Sequence, residues 1–177
     1  CAYIGEPYER QLQEKQRKVE KLLKPFGRVE PIRGMGYPYY YRNKVQAVFG
    51  LKKNGDIVCG TYRKGTHSIV DIEDCLIQDR MATAIIRDIR DMLPSFRIRP
   101  YNEDTGYGLL RHVLIRRGYA TGEVMVVLVT ASPVFPSKNH FVKALLKKHP
   151  EITTVVQNIN DRRTSMVLGD QEKVLWG

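Results

Sequence analysis

The chain has 177 residues, of which 42% are hydrophobic and 27% are charged. This composition allows one ordinary domain or two small ones with a packed core, and it excludes a disordered chain. Lysine and arginine outnumber aspartate and glutamate by 29 to 19, and the net charge of +10 favours a polyanionic partner such as nucleic acid. No apolar run approaches the roughly 20 residues of a membrane span, and no signal-peptide pattern opens the chain. We therefore expect a cytoplasmic protein with no membrane partner.

The first half of the chain predicts two helices around a β-meander. YERQLQEKQRKVEKLLKPFG has apolar residues at helical spacing and ends at Pro25 and Gly27. An alternating segment then leads into Asn54-Gly55, and a return strand, DIVCGTYRKG, follows. An Asn-Gly pair between two such runs is the strongest short-range hairpin signal. HSIVDI predicts a third short strand, and IQDRMATAIIRDIRDMLP predicts a helix whose apolar face covers the sheet.

This meander also concentrates cations and aromatic rings. A run of tyrosines at positions 37 and 39–41 leads into Arg42 and Lys44, and the return strand ends in Arg63 and Lys64. Cations for phosphates beside rings for bases are typical of single-stranded RNA recognition. The alternative is that the tyrosines only make good strands and the basic residues only keep the surface soluble.

The second half predicts an α+β unit. RIRPYNEDTGYG is polar and contains glycine, so we interpret it as a joint between two domains, residues 1–96 and 97–177. Two strong strands follow, LLRHVLIRRG and EVMVVLVTA, then a helix, KNHFVKALLKKHP, a strand, ITTVVQNIN, and a closing hairpin through Gly169-Asp170. The predicted fold class is α+β: a β-meander with covering helices, followed by a β-β-α-β-β unit with a mainly antiparallel sheet.

Motifs for catalysis are missing from these residues. The chain contains no G-x-S-x-G, H-E-x-x-H or Walker sequence, and its four histidines are scattered singly. Three cysteines do not form a disulfide framework. Cys59 lies within a predicted strand as a small hydrophobe, and Cys1 and Cys75 are too few to hold a metal unaided. The chain begins CAYIGEPYE and stops at KVLWG, and we expect it to be a piece of a longer protein.

Several long strings of the chain resemble a known family. YYYRNKVQAVFG, GTYRKGTHSIVDIEDCLI, GLLRHVLIRRGYATGEVMVVLVT and QNINDRRTSMVLGDQEKVLWG resemble, in this order, the central region of the bacterial uracil-C5 RNA methyltransferases, particularly those that act on 23S ribosomal RNA. The resemblance covers nearly the whole chain. It implies a parent enzyme with a four-cysteine iron–sulfur site before this region and a domain that binds S-adenosylmethionine after it.

The resemblance also implies roles for individual residues. Cys1 corresponds to the last of three closely spaced cluster cysteines and Cys75 to a distant fourth. With the other two absent from this chain, we expect no intact [4Fe–4S] cluster in it. The expected RNA contacts lie at two basic positions, with Arg111 as a further candidate and two tyrosines as candidates for base stacking (Arg42, Lys44, Arg63, Lys64, Arg111, Tyr41 and Tyr62).

The reaction of such enzymes sets clear chemical demands. A cysteine thiolate adds at uracil C6, C5 takes the methyl group of S-adenosylmethionine, and a general base removes the C5 proton. In the family these residues lie beyond the point where this chain ends, so we expect no catalytic or cofactor-binding residue here. We therefore interpret the chain as the RNA-contacting central part of such an enzyme. The alternatives are a stand-alone RNA-binding module without catalytic activity and a scaffold domain whose basic face is only solvated.

Overall fold

The structure, a computed structural model, describes residues 3, 5–164 and 166–177. The chain divides into two compact units, Cys1–Tyr39 and Tyr40–Gly177. None of the helices in the described part combines the length and the apolarity needed to cross a membrane.

The first unit is built on α1, Tyr8–Leu23, which confirms the first predicted helix. The segment after the helix folds back along it. The Ile32 N–H donates to Gln16 Oε1 at 2.8 Å, and the Met35 N–H donates to the Tyr8 hydroxyl at 2.8 Å. None of the described α1 residues is buried, so side-chain hydrogen bonds to the backbone, more than an apolar core, order this unit.

The second unit contains one seven-stranded sheet. Its strands, in chain order, are β1 (Lys44–Leu51), β2 (Ile57–Tyr62), β3 (Ile69–Asp71), β4 (Leu110–Arg117), β5 (Val124–Thr130), β6 (Ile152–Ile159) and β7 (Gln171–Trp176). They lie in the order β3-β2-β1-β4-β5-β6-β7. Only β5 and β6 pair in parallel, and every other neighbouring pair is antiparallel.

Two of these pairings bear directly on the sequence predictions. The hairpin between β1 and β2 is confirmed, and Gly55 adopts a positive φ of 89° in its turn. β1 also pairs with β4, where Val45 lies opposite Ile115. Strands from both sides of the expected joint near residue 97 therefore share one sheet.

One face of the sheet carries the main hydrophobic core. The helices α2 (Arg80–Met92) and α3 (Lys138–Lys148) cover it. Ile85 and Ile89 of α2 and Phe141 of α3 are fully buried in this core together with alternating residues of the strands. Asp79 lies directly before α2, and its carboxylate accepts the Ala82 N–H at 3.0 Å and thereby caps the helix.

A cluster of ionisable side chains joins the two covering helices. Asp88 of α2 accepts from Lys148 Nζ at 2.8 Å and lies 2.8 Å from His149 Nε2. Burial by itself pushes the pKa of Asp88 upward, but the hydrogen bonds from Lys148 and His149 outweigh burial and hold the pKa below its usual range. The carboxylate therefore stays ionised and ties α3 to α2.

The α+β class with a mainly antiparallel sheet is confirmed, and so is the order β-β-α-β-β in the second half. The predicted closing hairpin is wrong. Residues 160–164 and 166–170 belong to no strand, and β7 pairs directly with β6. Asn158 exchanges two hydrogen bonds with the Gly169 backbone, at 2.7 and 3.1 Å, and Asn160 Nδ2 donates to the Met166 carbonyl at 2.7 Å. These side-chain amides are hydrogen-bonded to backbone groups that would otherwise pair with a neighbouring strand.

Candidate nucleic-acid interface

The side of the sheet opposite α2 and α3 is called the second face here, and alternate residues of each strand lie on it. Val45, Ala47 and Phe49 pack under the helices, so Lys44, Gln46 and Val48 of β1 belong to the second face. Their partners on β4 are Arg116, Leu114 and His112. Its centre is a small apolar cluster of Leu114, Val127, Val129 and Val156.

Two exposed cations face each other at one end of the second face. Lys44 of β1 lies directly opposite Arg116 of β4, and both side chains are exposed. In the described part of the chain neither side chain has a salt bridge or a hydrogen bond. Like charges directly opposite each other destabilise a strand pair. An anion bound between them would relieve this repulsion, so the pair is suited to a phosphate.

Arg42 and Tyr41 lie just before this pair. The Arg42 N–H donates to the Ile77 carbonyl at 2.9 Å, and the Arg42 carbonyl accepts from the Asp79 N–H at 3.0 Å. The Arg42 side chain is exposed, and no acceptor among the described residues holds it. Tyr41 is 43% exposed. The backbone bonds thus fix the position of a cation and a ring that both remain accessible.

Arg63 and Lys64 occupy the tip of the turn between β2 and β3, where the Arg63 N–H donates to the Ser68 carbonyl at 2.8 Å. Both side chains are exposed. β2 pairs with β1 only as far as Gly60, opposite Val48. The strand register therefore makes Arg116, and not Arg63 or Lys64, the direct neighbour of Lys44.

Tyr62, the second stacking candidate, is half-buried before that turn. Its ring centre lies 5.6 Å from that of His67, with the planes tilted by 52°. Burial, and then the nearby Glu103 carboxylate, raise the pKa of Tyr62 to about 12. The phenol therefore stays protonated at physiological pH.

Arg111, a predicted RNA contact, is not accessible to RNA in this structure. Its side chain is fully buried, and its guanidinium donates to both oxygens of Glu103 at 2.9 Å. It also donates to the carbonyls of Asn160 at 2.8 Å and Arg162 at 2.7 Å, and it lies 4.6 Å from the centre of the Tyr101 ring. Because protein acceptors surround it, Arg111 holds two loops together and has no access to a phosphate.

His112 contributes no positive charge to the second face. It is 7% exposed. Burial, and then the neighbouring Arg111 guanidinium, lower the pKa of His112 to about 4. Its imidazole is therefore neutral at physiological pH.

The cysteines do not form a metal site within the described residues. Cys59 is buried in the main core, and burial raises the pKa of its thiol to about 11. Cys75 is half-buried between β3 and α2, and Cys1 lies outside the described residues. No group of three or more histidine, cysteine, aspartate or glutamate side chains that could hold a metal ion is found in the part of the chain that the structure describes. These residues do not fit an iron–sulfur cluster, and the site at Cys1 and Cys75 stays a prediction.

Curated proteins similar to this chain are named as RNA methyltransferases. No protein-family model matches the chain. An uncharacterized RNA methyltransferase of Bacillus cereus is 38% identical over 175 residues, which cover 96% of this chain and 38% of that protein. One of Oceanobacillus iheyensis is 40% identical over 183 residues, which cover 100% of this chain and 40% of that protein. The chain thus spans about two fifths of the length of these relatives.

The fold of the chain is shared with part of a solved structure. That structure is the Pyrococcus abyssi tRNA (uracil-54, C5)-methyltransferase in complex with S-adenosyl-L-homocysteine, and it matches with a TM-score of 0.75. The match covers 97% of this chain and 39% of that enzyme, at 22% sequence identity. At this identity the match shows the fold.

Arg116 is the residue of this surface that the sequence predictions missed. The alternation in LLRHVLIRRG places Arg116 on the same face as Leu114. The pattern does not say that β4 lies beside β1, and only that adjacency brings Arg116 opposite Lys44.

Proposed function

We propose that this chain is the RNA-contacting part of a longer S-adenosylmethionine-dependent RNA uracil-C5 methyltransferase, with 23S ribosomal RNA as its substrate. The observation that carries the proposal is the 38–40% identity, over 96–100% of the chain, to proteins named as RNA methyltransferases. The fold shared with an enzyme that methylates uracil C5 supports this reaction class.

The contacts with RNA would be made by the exposed cations at the start of β1. Phosphate contacts fix the position and orientation of a nucleic acid, and they need accessible lysine or arginine donors. Lys44 and Arg116 meet this need as an opposed pair, and Arg42 lies two residues before Lys44 on the chain. Tyr41 offers an exposed ring next to Arg42 for stacking on an unpaired base.

The methyl-transfer chemistry would lie outside this chain. A cysteine nucleophile must be an accessible thiolate, whereas Cys59 is buried and the pKa of its thiol is raised to about 11. We therefore assign the nucleophile, the general base and the S-adenosylmethionine site to the rest of the longer protein. Since the described residues do not fit an iron–sulfur cluster, no step of the proposal depends on one.

Transfer RNA is the second candidate substrate. The Pyrococcus abyssi enzyme that shares this fold is a tRNA methyltransferase. A stand-alone RNA-binding module would also use the cation pair, and it would need no cofactor.

Methyl transfer by the complete protein that carries this chain separates these possibilities. The protein is incubated with labelled S-adenosylmethionine and either unmodified 23S ribosomal RNA or unmodified tRNA. We expect 5-methyluridine in the 23S RNA, identified by mass spectrometry of the nucleosides. 5-Methyluridine in tRNA alone would contradict 23S RNA as the substrate and would support the proposed reaction. RNA binding without product in either RNA would contradict the enzyme and favour the module.

A further inference from the structure

A cleft of about 330 Å³ lies along the second face of β1, β2 and β3, beside the loop at residues 100–104. Val58 and Ile69 contribute aliphatic walls, and Gly50 leaves a flat floor between them. A Cβ at Gly50 would lie 2.5 Å from Ile69 Cδ1, so the Ile69 side chain packs directly against this glycine. A concave site with apolar walls and few polar groups is typical of small-ligand binding.

Polar side chains converge on this cleft. His67 Nδ1 lies 2.7 Å from Asp104 Oδ1, and the His67 ring lies against the ring of Tyr62. Within the described residues, the second oxygen of Asp104 and the hydroxyl of Tyr62 have no hydrogen-bond partner. The neighbouring Glu103 carboxylate is already engaged by Arg111. Among the described residues, Asp104 Oδ2 is therefore a carboxylate oxygen of the cleft that is free to accept.

Exposed cations lie next to the same cleft. Lys53 lines it, and Arg63 and Lys64 follow Tyr62 directly on the chain. All three are exposed, and none has a side-chain partner in the described part of the protein. A base in the cleft would thus lie among cations that can contact its flanking phosphates.

We propose that this cleft binds one unpaired guanine of the RNA. The inference rests on the proposed function, because it requires that the chain binds RNA. Among the four RNA bases only guanine presents a ring N–H beside an exocyclic amino group, and a carboxylate accepts both. Asp104 Oδ2 would accept one of these donors, and Oδ1 would accept the other with the lone pair that His67 does not use. The rings of Tyr62 and His67 would contact the base. Asp104 would then give the RNA surface a base preference that phosphate contacts alone do not provide.

Binding of short single-stranded oligoribonucleotides tests the inference. Each consists of uridines around one central base, which is guanine, adenine, cytosine or uracil, and affinity is measured by fluorescence anisotropy. We expect the guanine oligonucleotide to bind about tenfold more tightly than the other three, since a bidentate pair discriminates by roughly 1–3 kcal/mol and 1.4 kcal/mol is tenfold. Asp104→Asn should remove this preference.

The control is Asp161→Asn, which makes the same change at an exposed carboxylate outside the cleft. It should keep the preference for guanine, and equal thermal melting of the two variants excludes a folding defect as the cause. Tight binding of all four oligonucleotides with equal affinity would overturn the guanine site and leave the proposed RNA binding intact. Absence of binding to all four would contradict the proposed function itself.

Discussion

Replacing Arg111 with alanine is expected to lower the free energy of unfolding by about 3–5 kcal/mol, because breaking a buried ion pair from one side leaves the other charge uncompensated. Glu103 would lose its bidentate partner, with only 14% of its side chain exposed to water. The carbonyls of Asn160 and Arg162 would lose their donor at the same time. Equilibrium unfolding in urea, followed by circular dichroism, measures the difference.

The matched control is Arg116→Ala, which removes an arginine from the same strand. Arg116 is exposed and lies opposite Lys44, so its loss should leave stability unchanged or raise it slightly. Equal stabilities for the two variants would contradict the structural role assigned to Arg111.

Gly108→Ala is expected to destabilise the protein by about 2–6 kcal/mol, because backbone strain and overpacking at one position each cost about 1–3 kcal/mol. Gly108 has a φ of 115°, and a Cβ there would lie 2.1 Å from the Pro100 carbonyl oxygen. The backbone of the loop before β4 would have to move, and that loop carries Glu103 and Asp104. The variant should therefore lose both stability in urea and guanine preference.

Gly122→Ala separates backbone strain from the steric clash. Gly122 also has a positive φ, 74°, but no atom lies within 4 Å of a Cβ built on it. Its substitution should cost only about 1–2 kcal/mol, the strain of an alanine in the left-handed region. If Gly108→Ala lowers the free energy of unfolding no more than Gly122→Ala does, the close packing of Gly108 against Pro100 does not contribute to stability.

Local patterns in the sequence predicted most of the second unit. Asn54-Gly55 predicts the β1–β2 hairpin, and Gly55 supplies a positive φ in its turn. Alternation in β1 correctly places Val45, Ala47 and Phe49 in the core. The helical spacing of Ile85 and Ile89 correctly predicts the buried face of α2. In each case the signal lies within one element or one turn.

Arg111 shows why other features could not be predicted. The register of β4 against β5 shifts between Leu110 and His112, so Arg111 lies at an irregularity of the strand. Its acceptors come from loops 8 and 49 residues away in the chain, at Glu103 and Asn160. From the sequence alone, an arginine among other basic residues is expected to be an exposed cation. Only the tertiary structure shows the acceptors around the Arg111 guanidinium.

The cation pair has the same kind of origin. Lys44 lies at the start of β1 and is one of the predicted RNA contacts. Arg116 lies 72 residues further along the chain. The two meet because β4 joins the sheet beside β1. Strand order of this kind depends on packing of the whole unit and leaves no local signal in either strand.

The salt dependence of RNA binding tests the central claim most directly. The affinity of the Lys44→Ala/Arg116→Ala variant for single-stranded RNA is measured across a range of salt concentrations. Losing two phosphate contacts should weaken binding and flatten the log–log slope by about 1 to 2 units. Lys143→Ala/Lys147→Ala removes the same charge from exposed positions of α3, on the opposite side of the sheet, and should leave the slope unchanged. Equal slopes for the two double variants would contradict an RNA-binding surface at Lys44 and Arg116.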